Sequence, residues 1–412
     1  MKLLILSQYF WPESFIINDI VRTLDEQGHE VVVATGKPNY PDGKLFEGYR
    51  LWGTQREYYQ GKVEVLRVPL WPRGEGGARN LIFNYLSFVL SGLLFLPWML
   101  RGREFDAILV FAPSPITQAI PAIALKWLKK AKLALWVQDL WPQSLSATGF
   151  VKNPQLLKVV GWLVRAIYRH CDTLLVQSRA FVEPVADYAA REKIQYYPNS
   201  LDVRPPRLVV PIPSELSELL EKYFCVVFAG NLGTAQALET IVQAAVQLRD
   251  DPLIRVVLVG SGSRLAWLKA QQQAHGLDNL VMPGRFPMES MPQIFERSSV
   301  LLVSLNDEEA FAQTVPSKIQ AYLAAGRPII ACLNGEGARV VCEAGAGLAS
   351  PAEQVLPLVA NIRCMKALTE AERIAMGCSG KAYFYKNFEM TEQVKVLADH
   401  LSCRQSSKGV SE

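Results

Sequence analysis

Short apolar runs recur along this chain, and most are followed by a loop and then by a stretch of helical periodicity. In the first half the runs fall at residues 3–6, 30–34, 63–68, 107–111, 133–137 and 173–176, and a helical pattern over 17–27 stops at Gly28. Runs that are apolar on both faces must be covered on both sides, which predicts a mostly parallel sheet flanked by helices. The rhythm breaks at Tyr197-Pro198-Asn199-Ser200, and Pro205, Pro206, Pro211 and Pro213 mark a linker. Beyond it the pattern restarts, with strands at 225–229, 255–259, 280–282, 300–304 and 328–332. Helices are expected from Ala235 and over 264–274, 291–296 and 317–325. The expected architecture is α/β, with two doubly wound, Rossmann-like units.

A length of 412 residues agrees with two domains. The formal charge of +4 is small and its cations are interspersed with acids, which argues against nucleic acid as a partner. Seven dispersed cysteines without a Cys-x-x-Cys pair read as reduced thiols of a cytosolic chain. The first apolar run is short for a signal peptide and reads as a buried strand.

No residue from Asn80 to Leu100 is charged, a length sufficient to cross a bilayer. An apolar strand precedes it and another follows, and both are expected in one sheet, which argues against crossing. Arg73, Arg79, Arg101 and Arg103, with Lys126, Lys129, Lys130 and Lys132, suit an anionic membrane surface. An interfacial helix over 80–101 is the expectation, with a buried helix and a true span as the alternatives.

In a parallel sheet an anion binds beyond the carboxyl ends of strands, where helix N-termini present free N–H groups. The second half offers three such places: Gly230-Asn231-Leu232-Gly233-Thr234, Gly260-Ser261-Gly262-Ser263, and Pro316-Ser317-Lys318. Ser317 and Thr234 are expected to cap their helices. Lys318 places a cation at the positive end of a helix, which is unfavourable unless an anion binds there. A nicotinamide-type reading fails, because the first strand runs into Ser7-Gln8-Tyr9-Phe10-Trp11-Pro12-Glu13 without a glycine-rich turn. Glu13 reads either as a cleft-facing acid or as a solvated loop acid. Asp139 reads either as a turn cap or as a functional carboxylate.

Several motifs in order resemble the retaining glycosyltransferases of the GT-B fold, in the bacterial branch that builds O-antigen, capsule and colanic-acid-like polysaccharides. They are Tyr9-Phe10-Trp11-Pro12-Glu13, Gly28-His29-Glu30-Val31, Pro38-Asn39-Tyr40-Pro41, Gln138-Asp139-Leu140-Trp141-Pro142, Pro198-Asn199-Ser200-Leu201-Asp202, Gly230-Asn231-Leu232-Gly233 with Ala235-Gln236, and Pro316-Ser317-Lys318-Ile319 with Ala324-Ala325-Gly326-Arg327-Pro328. The resemblance implies an acceptor-binding domain over 1–203, a linker over 204–222 and a nucleotide-sugar domain over 223–380. A helix over 381–402 would cross back to the first domain, and 403–412 would be a disordered tail. The active site would lie in the cleft between the domains. A UDP- or GDP-sugar would be held by Gly230, Asn231, Gly233, Gln236, Gly260, Arg285, Ser317, Lys318 and Ile319. The acceptor, commonly a polyprenyl-diphosphate-linked glycan, would meet Glu13, Gln138 and Asn199. Asp139 and Lys318 would carry catalysis with no cofactor and no metal, at the cytoplasmic face of the membrane, to which the protein would bind peripherally.

Three departures from the wider family follow from the same alignment. Asn231 and Gln236 stand where an Arg and a Lys usually hold the diphosphate, which concentrates charge neutralisation on Lys318. Gln313 and Ala321 stand in place of a Glu-x7-Glu pair, leaving the ribose to Gln320 or to Glu308-Glu309. Gln138 replaces a His, which makes Asp139 the candidate for contacting the reacting sugar or the acceptor hydroxyl. A nucleotide-sugar epimerase or hydrolase on the same fold, and a catalytically idle sugar-nucleotide-binding subunit, are the competing readings.

Overall fold

The computed structural model describes residues 1–74, 77–147, 151, 153–204 and 210–402. The chain divides into two compact units, Met1–Asn199 with the residues from Met390 onward, and Ser200–Glu389. In the first unit the strands are β1 (Lys2–Leu6), β2 (Glu30–Thr35), β3 (Gln55–Tyr59), β4 (Val63–Arg67), β5 (Ala107–Ala112), β6 (Lys132–Val137), β7 (Thr173–Val176) and β8 (Ile194–Tyr196). Its helices are α1 (Ile16–Glu26), α2 (Ala78–Met99), α3 (Ala119–Lys129), α4 (Gln143–Ala147), α5 (Pro154–His170) and α6 (Val182–Ala186).

The strands form one sheet in the order β3-β4-β2-β1-β5-β6-β7-β8. All neighbours are parallel except β3 and β4. Side-chain alternation sorts β1 cleanly: Leu4 and Leu6 join the core under α2, α3 and α5, whereas Leu3 and Ile5 face α1. The six expected strands all form. β3 carries charged and tyrosine residues in place of an apolar run, and it is an edge strand hairpinned to β4 through Gln60 and Gly61, both at positive φ.

The apolar segment forms α2, between β4 and β5 in a single sheet, with Phe88, Leu96 and the following Leu100 fully buried against it. By length and composition this helix could cross a membrane, yet only 28% of its most apolar window is buried in the protein.

The second unit contains β9 (Phe224–Ala229), β10 (Ile254–Val259), β11 (Leu280–Gly284), β12 (Val300–Ser304), β13 (Ile329–Cys332) and β14 (Gly347–Ser350). They form a parallel sheet in the order β11-β10-β9-β12-β13-β14. Around it lie α7 (Ser214–Lys222), α8 (Leu238–Leu248), α9 (Leu265–His275), α10 (Met291–Arg297), α11 (Glu309–Ala312), α12 (Ser317–Ala325), α13 (Glu336–Glu343), α14 (Val355–Ala367) and α15 (Glu370–Asn387). A last helix, α16 (Met390–Ser402), belongs to the first unit, where Val394 and Leu397 pack beside Ile17 and Ile20 of α1.

Two expectations are corrected here. The linker over 204–222 is in its second part the helix α7, because Leu216 and Leu220 are four residues apart and pack into the core of the second unit. Pro205 and Pro206 lie outside the described residues. The continuous helix over 381–402 is interrupted: Phe388, at φ −136°, buries its ring in that core and offers its carbonyl to the Leu201 N–H at 2.9 Å. The tail over 403–412 lies outside the described residues.

Candidate active site

The second unit's strands run outward from β9 in one direction and from β12 in the other, so the switch point lies between these two neighbours. Loops beyond their carboxyl ends are where a parallel sheet receives a ligand. Gly230, at φ +142°, ends β9, and a Cβ there would stand 2.6 Å from Lys318 Cε. Gly260, at φ +148°, ends β10, and a Cβ there would stand 1.9 Å from the Gly230 carbonyl oxygen. Both positions therefore require glycine, and the two loops lie on one another. The Leu232 N–H donates to Ser261 O at 2.9 Å and the Arg264 N–H to Leu232 O at 3.0 Å. The Asn231 side chain lies over Gly233 and Gly262.

Lys318, in the first turn of α12, reaches across to this loop. Its ammonium donates to Gln236 Oε1 at 2.5 Å and sits 3.9 Å from the centre of the Phe228 ring. One turn on, the Tyr322 hydroxyl accepts the Ala229 N–H at 3.0 Å and so ties α12 to the end of β9. Among the described residues no carboxylate pairs with Lys318, and burial alone pulls its pKa down to about 7. The site thus holds one desolvated, uncompensated amine among backbone dipoles, a combination that favours an anion.

The remaining sequence candidates divide. Ser317 is exposed and is the first helical residue; the cap position is taken by Pro316, and no side chain caps this end. Thr234 does not cap α8 either, because Thr234–Gln236 form a 3-10 turn and Ala237, at φ +45°, starts the helix. Ile319 is corrected to a core residue: its side chain is fully buried and its N–H donates to Pro316 O at 2.9 Å. Arg285 is exposed just beyond β11. Of the residues expected to serve a ribose, Gln320 is buried whereas Glu308 and Glu309 are exposed. Asn306 was not anticipated. Its Oδ1 accepts the Ala237 N–H at 2.9 Å, its Nδ2 donates to Thr234 O at 3.0 Å, and its N–H donates to Ala235 O at 3.0 Å, fixing the turn that carries Gln236. Its only sequence signal is an Asn just past a strand end.

In the first unit Asp139 follows β6, half-buried. Its Oδ2 accepts the Trp141 indole N–H at 3.1 Å, and Ser144 and Ser114 also bond to it. Burial still raises its pKa above the usual carboxylate range. Tyr85 of α2 shares Ser114 with it. The Gln138 Nε2 is buried and finds no acceptor among the described residues. Asn199 Nδ2 donates to Gln177 Oε1 at 2.7 Å, and Gln177 Nε2 donates to Gln138 O at 2.8 Å, stitching the ends of β6, β7 and β8. Glu13 is neither solvated nor open. It is 2% exposed, and its oxygens accept the N–H groups of Asn39, Tyr40 and Phe10 at 2.8, 2.8 and 3.2 Å. It braces the loops after β1 and β2. Among the described residues no three His, Cys, Asp or Glu side chains gather as a metal site would need.

A glycosyl transferase 4-like domain matches residues 15–200, and a glycosyl transferases group 1 domain matches residues 224–365. The two matched glycosyl transferase domains together span most of the chain, which is a glycosyltransferase. A putative colanic acid biosynthesis glycosyl transferase of Escherichia coli K12, WcaI, is 26% identical over 400 residues, covering 91% of this chain and 94% of that one. HepE of Anabaena, solved in complex with UDP, superposes with a TM-score of 0.67 at 14% identity, covering 98% of this chain and all of the other. Sucrose-phosphate synthase of Thermosynechococcus elongatus does so with a TM-score of 0.67 at 16% identity, covering 97% of each. The two units of this glycosyltransferase therefore have the GT-B fold. Its Lys318 lies within the matched group 1 domain and its Asp139 within the matched 4-like domain.

Proposed function

We propose that this glycosyltransferase moves a sugar from a UDP- or GDP-sugar to a lipid-linked, polyprenyl-diphosphate glycan during cell-surface polysaccharide synthesis. Transfer retains anomeric configuration and takes place at the cytoplasmic face of a membrane. The observation that carries the donor half is the ammonium of Lys318, paired with no carboxylate among the described residues and set against Gly230 and Gln236 at the switch point of the second sheet. A diphosphate there gains one charge-assisted hydrogen bond and the N–H dipoles of α12, and the same groups stabilise it as it leaves. In this reading they supply the electrostatic work that a metal supplies elsewhere. The UDP held by HepE and the colanic acid assignment of WcaI support the donor class and the pathway class. Asp139, with Gln138 and Asn199 near it on the same sheet edge, is assigned to the reacting sugar or the acceptor hydroxyl.

The acceptor half rests on α2: its two flanking strands share one sheet, which argues against its crossing a membrane, and in this reading it lies on the membrane surface. Incubating the full chain with labelled UDP- and GDP-sugars and a lipid-linked acceptor tests the proposal, with NMR of the product reading its anomeric configuration. Sugar in the lipid fraction supports transfer. Altered free donor means an epimerase or hydrolase, and binding without turnover means an idle subunit, the reading that Ala321 at the ribose-binding position would favour.

A further inference from the structure

Helices α2, α3 and α5 lie next to one another over one face of the first sheet. Their inner sides are used in its core: Phe88 and Leu96 from α2, Leu125 from α3, Val164 and Ile167 from α5. A helix covering a sheet normally turns polar residues outward. These three do not. Leu90, Leu94 and Trp98 are 66, 69 and 69% exposed, Trp127 of α3 is 68% exposed, and Trp162 of α5 is 73% exposed. Single exposed apolar residues are ordinary, but an apolar surface shared by three neighbouring helices is not.

Charge separates a lipid surface from other occupants. Ala78–Met99, Ala119–Lys129 and Pro154–His170 contain no Asp or Glu. Lys158, Arg165 and Arg169 are exposed on α5, and Arg101 and Lys130 are exposed just beyond α2 and α3. Lys126 and Lys129 are already engaged, by Asp172 and by the carbonyls of Leu100 and Arg103. Arg165 also donates to the Asp187 carbonyl at 3.0 Å and lies over the Tyr188 ring. Indole rings among aliphatic side chains, fringed by cations on helices without carboxylates, match the layering of an anionic headgroup region over acyl chains.

We infer that α2, α3 and α5 together form a docking face for an anionic lipid surface, anchored by Trp98, Trp127 and Trp162. Its purpose rests on the membrane-held acceptor proposed above, but its existence does not. The face is also connected to the chemistry. Tyr85 of α2 lies beside Ser114 and Asp139, and Leu94 follows nine residues later, roughly 14 Å along the helix.

The test is cosedimentation of the full chain with vesicles of phosphatidylcholine alone or mixed with phosphatidylglycerol. The chain should bind the mixed vesicles, less so as salt rises. Trp127→Ser with Trp162→Ser should weaken binding by on the order of tenfold or more while α2 stays intact. Lys158→Gln and Arg169→Gln should each weaken it about fivefold. All these side chains are exposed, so an unchanged thermal midpoint and circular dichroism spectrum confirm that the variants are folded. Unchanged binding of the Trp127/Trp162 variant, with loss only in Leu90→Ser/Leu94→Ser, overturns the three-helix face. Equal, salt-insensitive binding to neutral vesicles overturns its anionic character. Absence of vesicle binding, with these variants instead dissociating a dimer, makes the face a contact between copies. Sugar transfer to a short-chain, detergent-soluble acceptor is measured in parallel: transfer without vesicle binding leaves the enzyme and removes the face, and vesicle binding without transfer does the reverse.

Discussion

The Lys318 amine titrates close to neutrality because it is shielded from water and no carboxylate among the described residues pairs with it, and its pKa of about 7 makes donor binding a proton-linked event. The diphosphate of a nucleotide sugar is a diester that stays fully charged across the neutral and alkaline range, so of this pair only the lysine changes state. Below about pH 7 the ammonium is already formed and the donor binds it directly. Above that pH a proton must be taken up, and each pH unit weakens binding about tenfold, or about 1.4 kcal/mol. Affinity at pH 9 should therefore be on the order of a hundredfold below that at pH 6.5, provided the bound ammonium keeps its proton. Isothermal titration of UDP-glucose or GDP-mannose, whichever binds, in buffers of different ionisation enthalpy should show proton uptake approaching one near pH 8.5. Lys318→Arg should flatten the dependence, since a guanidinium remains charged throughout. Lys318→Ala should lose roughly 10- to 100-fold at pH 6.5, the worth of one hydrogen bond to a charged group, and should show no proton uptake. The unliganded chain should become more stable as pH rises from about 7, because the unfolded chain then holds the extra proton. Wild-type affinity that is flat from pH 6.5 to 9, or a slope that survives in Lys318→Ala, would refute the reasoning.

Gly230→Ala should weaken donor binding at least about tenfold, because the new methyl meets the Lys318 stem at 2.6 Å in a backbone region L-residues avoid; equal donor affinity by the same titration would contradict this. Tyr322→Phe leaves the buried Ala229 N–H without its acceptor and should cost about 1–3 kcal/mol of stability, read as a lower thermal midpoint. Asp139→Asn should lower turnover by about 100-fold or more and leave donor affinity unchanged, which steady-state kinetics with a nucleotide titration will separate; a purely structural Asp139 would instead lower the melting temperature.

The alternation of strand and helix was readable because apolar runs and helical periodicity are local signals, and strands buried on both faces leave no doubt about cover. β3 escaped because an edge strand has no need of an apolar run. The break after α15 escaped because Phe388 has no helix-breaking chemistry; it leaves the helix for a place in the core. Glu13 read as either a cleft-facing or a solvated loop acid, and nothing local shows that Phe10, Asn39 and Tyr40 turn their N–H groups toward it.

By itself the sequence determined two parallel α/β units, the glycine loops at strand ends, the lysine opposing a helix dipole and an uncharged helix of membrane length. Only the tertiary structure decided that Lys318 reaches Gln236, 82 residues away, and lies over Phe228, that Asn306 clamps the turn between them, and that Trp127 and Trp162 extend the apolar surface of α2. Periodicity specifies which face of an element is buried. Strand order decides which elements become neighbours, and that order emerges from packing the whole chain at once.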